Sequence, residues 1–239
     1  MINKKYINIV VIIIIIFIIN RIQKIKSMSY WRKKNKNILN KLDFFLNEIY
    51  NLMDVKYKFL EGGTFLGSVR NKNIIPYDDD VDIGVYLNSQ EEFDEFTENL
   101  KKKCVSNDIR IKEIWFGLKV IKNEVAIDIF FYTKLKDNII HYKSKLARSV
   151  WPKSYFLDTE LKWFEIGYIN GKPYNICNNY LRVLERLFGS NWKKNLITHT
   201  HSLDIDNFKL NNLLNINNYI NAILLFLLKT FKLNEVNLK

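Results

Sequence analysis

The sequence predicts a mixed α/β (α+β) domain in which a small β-sheet is flanked by helices, and three features of the chain predict it. Short apolar or alternating runs at 80–86 and 125–132 have the pattern of half-buried and buried strands: Val81, Ile83 and Val85 alternate with Asp80, Asp82 and Gly84. Two stretches, 37–54 and 90–103, instead repeat apolar residues at helical spacing. The resulting order of helix, strand, turn and helix, strand, helix and further strands suits a mixed sheet with helices packed on it.

The chain opens with Lys4 and Lys5, followed by an apolar run over 7–19 that contains one asparagine. That run is shorter than the roughly 20 residues that span a bilayer in full, and no small-residue cleavage site follows it. An uncleaved signal anchor is therefore expected within residues 1–26, with its lysines reaching toward the headgroups. The net charge of +12 is concentrated here: residues 1–60 hold 12 Lys and Arg against three acids, and the remainder holds 25 basic against 22 acidic residues. A nearly neutral body argues against a broad phosphate-backbone surface, so no nucleic-acid partner is expected.

Residues 27–55 are expected to join the anchor to the body through an amphipathic helix. Ile38, Leu39, Leu42, Phe45, Leu46, Ile49, Tyr50 and Met53 form its inward stripe. The main domain then runs over 56–195. A strand at 57–60 leads into the Gly62-Gly63-Thr64 turn, and a short helix over 64–69 follows. Ser89-Gln-Glu-Glu92 is a capping box opening a helix to about residue 103, with Phe93, Phe96 and Leu100 inward. Strands are expected at 109–116, 118–122 and 125–132, the last two joined by an Asn123-Glu124 turn. Residues 133–175 are aromatic, show no clear periodicity and are expected to be irregular. Asn179 is expected to cap a helix with Leu181, Leu184 and Leu187 inward and Gly189 at its end. Residues 196–239 form a helical tail in this reading. Its apolar run at 220–228 is too short to span a bilayer, and His199 and His201, with no third ligand at suggestive spacing, read as surface residues.

The chemistry is concentrated between Phe59 and Tyr86, where Asp78, Asp79, Asp80 and Asp82 follow a glycine-rich turn and a proline. Alternation in an extended chain would set Asp78, Asp80 and Asp82 on one face, with Asp80 and Asp82 about 6.6 Å apart along the strand. Such a cluster is unfavourable unless something positive holds it. Mg²⁺ and related hard cations take carboxylate oxygens together with substrate phosphates. Asp128 stands alone among apolar residues in 125–132, where burial is costly unless the carboxylate is paired or bound to a metal. Asp80, Asp82 and Asp128 are thus the candidate catalytic and metal-binding residues, with Mg²⁺ or Mn²⁺ as the ion. The glycines let a nucleotide approach the backbone, and helix N–H groups after them suit a phosphate.

Leu66-Gly67-Ser68, followed after eleven residues by Asp80-Val81-Asp82-Ile83, resembles the signature of the nucleotidyltransferase fold. More closely, GGTFLGSVRNKNIIPYDDDVDIG resembles the LicD family, which includes bacterial phosphocholine transferases and the animal fukutin and fukutin-related proteins. Ile127-Asp128-Ile129-Phe130 is similar to the family's Ile-Asp-Ile-Phe strand, with Phe131 where a proline often follows. Phe188-Gly189-Ser190-Asn191-Trp192 is similar to its closing Tyr-Gly-Asp-Trp segment. The resemblance implies a nucleotidyltransferase-like fold and transfer of a phospho-substituent, such as phosphocholine or ribitol phosphate, from a CDP-activated donor to a glycan or glycolipid hydroxyl. Gly63, Thr64, Gly67, Ser68 and Arg70 would then cradle the donor phosphates. The alternatives are addition of a nucleoside monophosphate to a small acceptor, and an inactive membrane-anchored scaffold.

The basic residues after the apolar run favour a cytosolic body by the positive-inside tendency, whereas the resemblance to the animal members implies the secretory lumen. About thirty asparagines without one Asn-x-Ser/Thr sequon weigh against heavy lumenal glycosylation. Cys104 and Cys177 do not make a disulfide framework.

Overall fold

A computed structural model describes residues 28–193 apart from 77, 79 and 137, with side chains from residue 33 onward. The anchor expected over 1–26 and the tail expected over 196–239, including His199 and His201, lie outside the described residues. Among the described residues no helix is long and apolar enough to cross a membrane.

The first described helix, α1 (Met28–Leu52), starts earlier than the apolar pattern predicts. Its inward stripe is as expected: Leu42, Phe45, Leu46 and Ile49 are almost inaccessible, as is Met53 just beyond it, while Ile38 is exposed. There follow β1 (Lys58–Leu60), α2 (Gly62–Arg70) and β2 (Val81–Tyr86). Next come α3 (Gln90–Val105), β3 (Arg110–Ile114), β4 (Gly117–Lys122) and β5 (Val125–Lys134). The Ser89 hydroxyl accepts the Glu92 N–H at 3.2 Å, but the Glu92 carboxylate accepts from Asn88 N–H at 2.8 Å. The expected capping box is thus displaced by one residue on its return side. Asn123 and Glu124, with φ of 49° and 70°, make the tight turn between β4 and β5, both in the left-handed region that two-residue hairpins of this twist require.

Residues 133–175, expected to be irregular, carry regular structure: β6 (Ile139–Tyr142), α4 (Lys145–Val150), β7 (Phe156–Leu157), a single 3-10 turn, β8 (Phe164–Ile169) and β9 (Lys172–Cys177). The last described helix is α5 (Tyr180–Phe188). Asn179 precedes it in a left-handed conformation with φ 55° and makes no side-chain cap. Val183 and Leu184 face inward instead of Leu181, which is exposed. Gly189, φ 83°, ends the helix as expected.

One seven-stranded sheet has the order β1-β2-β5-β4-β3, with β6 paired to the far end of β5 and β7 to β6; β8 and β9 form a separate hairpin. The β2–β5 pair is parallel and the other described pairs are antiparallel. Val81, Ile83, Val85, Ile127 and Ile129 are fully buried on one sheet face. Lys122, at the edge of that face, reaches Glu48 of α1 at 2.6 Å. Asp82, Gly84, Asp128 and Phe130 alternate onto the other face, because successive strand side chains point to opposite sides.

Gly84 shows how tightly that second face is packed. A Cβ there would lie 2.3 Å from Cε2 of Phe59, a fully buried ring held among Tyr132, Phe156 and Phe164. Gly84→Ala should therefore lower stability by about 1–3 kcal/mol, the usual range for overpacking, as read from urea unfolding. In a double variant with Phe59→Leu the two losses should add to less than their sum, because the smaller side chain relieves the clash.

Candidate active site

The register of the parallel pair builds the site. Asp82 on β2 lies directly opposite Asp128 on β5, so both carboxylates leave the same face of neighbouring strands. Asp80 comes from the approach to β2, one residue before the strand starts. Oxygens of Asp80, Asp82 and Asp128 all lie within 4.8 Å of one another. On the opposite flank of β5, Lys119 of β4 pairs in register with Asp128, and its Nζ sits 2.7 Å from Asp128 Oδ1.

The start of α2 presses its backbone onto this cluster. A Cβ on Gly62, φ 55°, would lie 2.6 Å from Asp82 Oδ2, and one on Gly63 would lie 2.7 Å from Asp78 Oδ2. Only glycine permits that approach. The Thr64 hydroxyl accepts the Asp82 N–H at 2.8 Å, and the Glu61 N–H donates to the Asp82 carbonyl at 3.2 Å. The backbones of α2 and β2 are thus fixed to each other where the acids converge.

Behind Asp82 lies a second carboxylate. Glu61 is buried, and its Oε1 accepts the hydroxyls of Tyr132 at 2.8 Å and Tyr142 at 2.6 Å. Burial raises the Glu61 carboxyl above its ordinary range, and the two tyrosine hydrogen bonds offset part of that rise. Burial first, then repulsion from Asp80, Glu61, Asp78 and Asp128, pushes Asp82 well above the usual carboxylate value. Asp82 still keeps part of its surface open. The site is therefore strongly negative, and the Lys119 ammonium forms an ion pair with Asp128 of the triad.

The predicted residues are distributed unevenly around this centre. Asp80, Asp82 and Asp128 converge, and Gly63 and Thr64 stand beside them. Asp78 lies in the loop before β2 and not on the strand, yet it is buried next to Gly63; Asp79 is outside the described residues. Gly67 and Ser68 do not border the carboxylates. Ser68 is fully buried, its hydroxyl donates to the Phe65 carbonyl at 2.8 Å, and it packs against Gly167 of β8. A Cβ on Gly67 would lie 2.6 Å from the Asn73 carbonyl, so close packing accounts for that glycine. Neither residue offers a polar group to the space before the carboxylates. Arg70 donates from Nε to Asn71 Oδ1 at 2.9 Å and from an Nη to the Trp192 carbonyl at 3.3 Å, which ties α2 to the segment after α5.

Lys119, Glu61, Tyr132 and Tyr142 are absent from the candidate set read from the sequence. Lys119 carries a usable signal: counting outward from the two-residue Asn123-Glu124 turn sets it opposite Asp128. Glu61 has none, because its partners come from strands 71 and 81 residues away.

Paired aspartates on a mixed sheet under a glycine-started helix are groups that can hold a divalent cation beside a phosphate. Residues 55–166 match the family described as LicD/FKTN/FKRP, nucleotidyltransferase domain, so the LicD and fukutin resemblance of the sequence holds over this segment. Among curated relatives, the uncharacterized protein RT0683 of Rickettsia typhi is 32% identical over 115 residues, covering 48% of this chain and 34% of that protein. The ribitol-5-phosphate transferase FKTN of Homo sapiens is 27% identical over 140 residues, covering 56% of this chain and 29% of that protein. The chain thus spans about a third of the length of these relatives. Among solved structures, ANT(2")-Ia in complex with adenylyl-2"-tobramycin shows a loose likeness, with TM-score 0.36, 14% identity, and coverage of 62% of this chain and 79% of that one.

The raised pKa of Asp82 gives a signed expectation for the metal-free protein. Between the unfolded value of 3.8 and the higher folded value, the native state holds a proton that the unfolded state has released. Native stability therefore falls as pH rises through that window. In the presence of EDTA, urea unfolding of wild type and Asp82→Asn should diverge in the variant's favour as pH rises above the unfolded value. A difference that stays constant with pH would show that Asp82 carries no such strain.

Proposed function

We propose that this domain is a divalent-metal-dependent LicD-type phosphotransferase. It would move a phospho-substituent, phosphocholine or a polyol phosphate such as ribitol phosphate, from a CDP-activated donor to a hydroxyl of a glycan or glycolipid. The observation that carries this reading is the convergence of Asp80, Asp82 and Asp128 within 4.8 Å, inside the segment matching the family. The donor set fits a hard cation: all ligands are carboxylate oxygens, and the ionised form of Asp82 is disfavoured without added positive charge. Mg²⁺ or Mn²⁺ bound there would neutralise donor pyrophosphate charge and stabilise the departing nucleotide phosphate.

The protein's own groups divide the remaining work. Gly62 and Gly63 keep the start of α2 free of side chains beside the acids, which leaves its N–H groups open to a donor phosphate. Thr64 fixes the Asp82 backbone and so holds the carboxylate in place. The acceptor hydroxyl attacks the phosphorus of the phospho-substituent, the bond to the nucleotide phosphate breaks, and CMP departs. Asp128, the buried member of the cluster, completes the metal site or takes the hydroxyl proton. In this reading residues 1–26 tether the domain to a membrane on which a glycolipid acceptor is presented.

The test uses the detergent-solubilised chain with Mn²⁺ and, separately, CDP-choline, CDP-ribitol, CDP-glycerol, CTP and UTP, with released nucleotides quantified by chromatography. CMP should appear from one CDP donor, and Asp80→Ala or Asp82→Asn should reduce it at least about 100-fold, as expected when transition-state charge loses its stabilisation. Far-UV circular dichroism should remain that of wild type. Pyrophosphate release from a triphosphate would replace this reading with nucleotidyl transfer, and unreduced CMP release in Asp82→Asn would overturn the site.

A further inference from the structure

Lys119 has a position that bears on the charge of the cluster. The triad brings three carboxylates together, with Asp78 buried near Gly63 and Glu61 behind. Against them the structure sets the Lys119 ammonium, 2.7 Å from Asp128 Oδ1. The pair crosses from β4 to β5 in register, so the backbone delivers the ammonium to the edge of the cluster. The Lys119 side chain is 33% exposed and that of Asp128 is 11% exposed. A partly exposed lysine is therefore paired with a carboxylate that is nearly enclosed. Lys122, three residues along the same strand, points to the opposite face and serves α1 through Glu48.

We propose that Lys119 is a resident counter-ion of the acidic site: it holds Asp128 in place before a metal arrives, and competes with the incoming divalent cation for that carboxylate. The inference rests on the metal-dependent reading above. Two cations sharing one carboxylate at contact distance repel each other, so Lys119 weakens metal binding in the absence of donor. Mg²⁺-type sites complete their coordination with substrate phosphates. Once released from Asp128, the ammonium is a point-charge partner for those phosphates. Metal and donor then bind better together than either does alone. Lys119 is in this sense a positioning residue. A lysine acting only as a cross-strand tie would not influence metal affinity in this direction.

The experiment measures Mn²⁺ binding to the full chain without donor, by electron paramagnetic resonance of free Mn²⁺, alongside melting temperature in EDTA. Lys119→Met and Lys119→Gln both remove the charge, the first keeping the length of the stem, and Lys119→Arg keeps the charge. Both neutral variants should bind Mn²⁺ at least about tenfold more tightly than wild type, given the size of a like-charge term at contact distance. They should also melt lower in EDTA and regain most of that loss with Mn²⁺. Lys119→Arg should stay near wild type. Unchanged or weaker Mn²⁺ binding in a folded neutral variant, with wild type binding saturably, would overturn this inference alone. No saturable binding by wild type would overturn the metal-dependent reading and this inference with it.

Discussion

Two aspartates facing each other across the β2–β5 pair are the constraint to which the surrounding structure answers. Parallel pairing fixes Asp82 beside Asp128, and the alternation of each strand sends both carboxylates to the same face. The same alternation buries Val81, Ile83, Ile127 and Ile129 on the other face. Moving either strand by one residue would bring carboxylates into the core and aliphatic side chains into the site. The hydrophobic core therefore sets the geometry of the charged cluster, and the repulsion within that cluster is sustained by the burial opposite it.

The groups around the pair moderate that repulsion in different ways. Lys119 supplies charge from the neighbouring strand at 2.7 Å. Thr64 and Glu61 fix the Asp82 backbone through its N–H and carbonyl. The Tyr132 and Tyr142 hydroxyls stabilise the Glu61 carboxylate, but burial outweighs them and the carboxyl stays raised. A buried acid directly behind Asp82 adds to the charge that Asp82 must bear. Its presence is consistent with a site whose balance is completed by a cation supplied from solution, since buried charges are sustained by pairing or metal coordination.

The parts of this arrangement that a single chain segment encodes are the parts legible in the sequence. Asp80 and Asp82 enter a period-two strand, and Asp128 interrupts an apolar one, so each identifies itself locally. Gly62 and Gly63 mark a close backbone approach, and the structure places carboxylate oxygens where their Cβ atoms would stand. Ser68 is fully buried in α2, its hydroxyl bonded to the Phe65 carbonyl. One turn beyond Thr64 the helix is covered by β8, a strand whose exposed Ile166 and Tyr168 and buried Gly167 give no conventional hydrophobic alternation. The rest of 133–175 is obscured for a related reason. Its strands are two to six residues long, and long-range pairing holds them in place.

That distribution follows from how the site is assembled. The carboxylates that face the ligand space lie on β2, just before it, and on β5, beside the start of α2, elements whose hydrophobic pattern is strong enough to fix them locally. Residues that restrain those charges come from elsewhere: Lys119 from the neighbouring hairpin strand, Tyr142 from β6, and the cover over α2 from β8. A carboxylate triad by itself would splay apart, because each acid gains hydration and loses repulsion by doing so. Contacts from distant segments prevent this and keep three oxygen ligands together at 4.8 Å or less. The chemistry of the site is therefore written in short local motifs, while its preorganisation is a property of the whole folded domain.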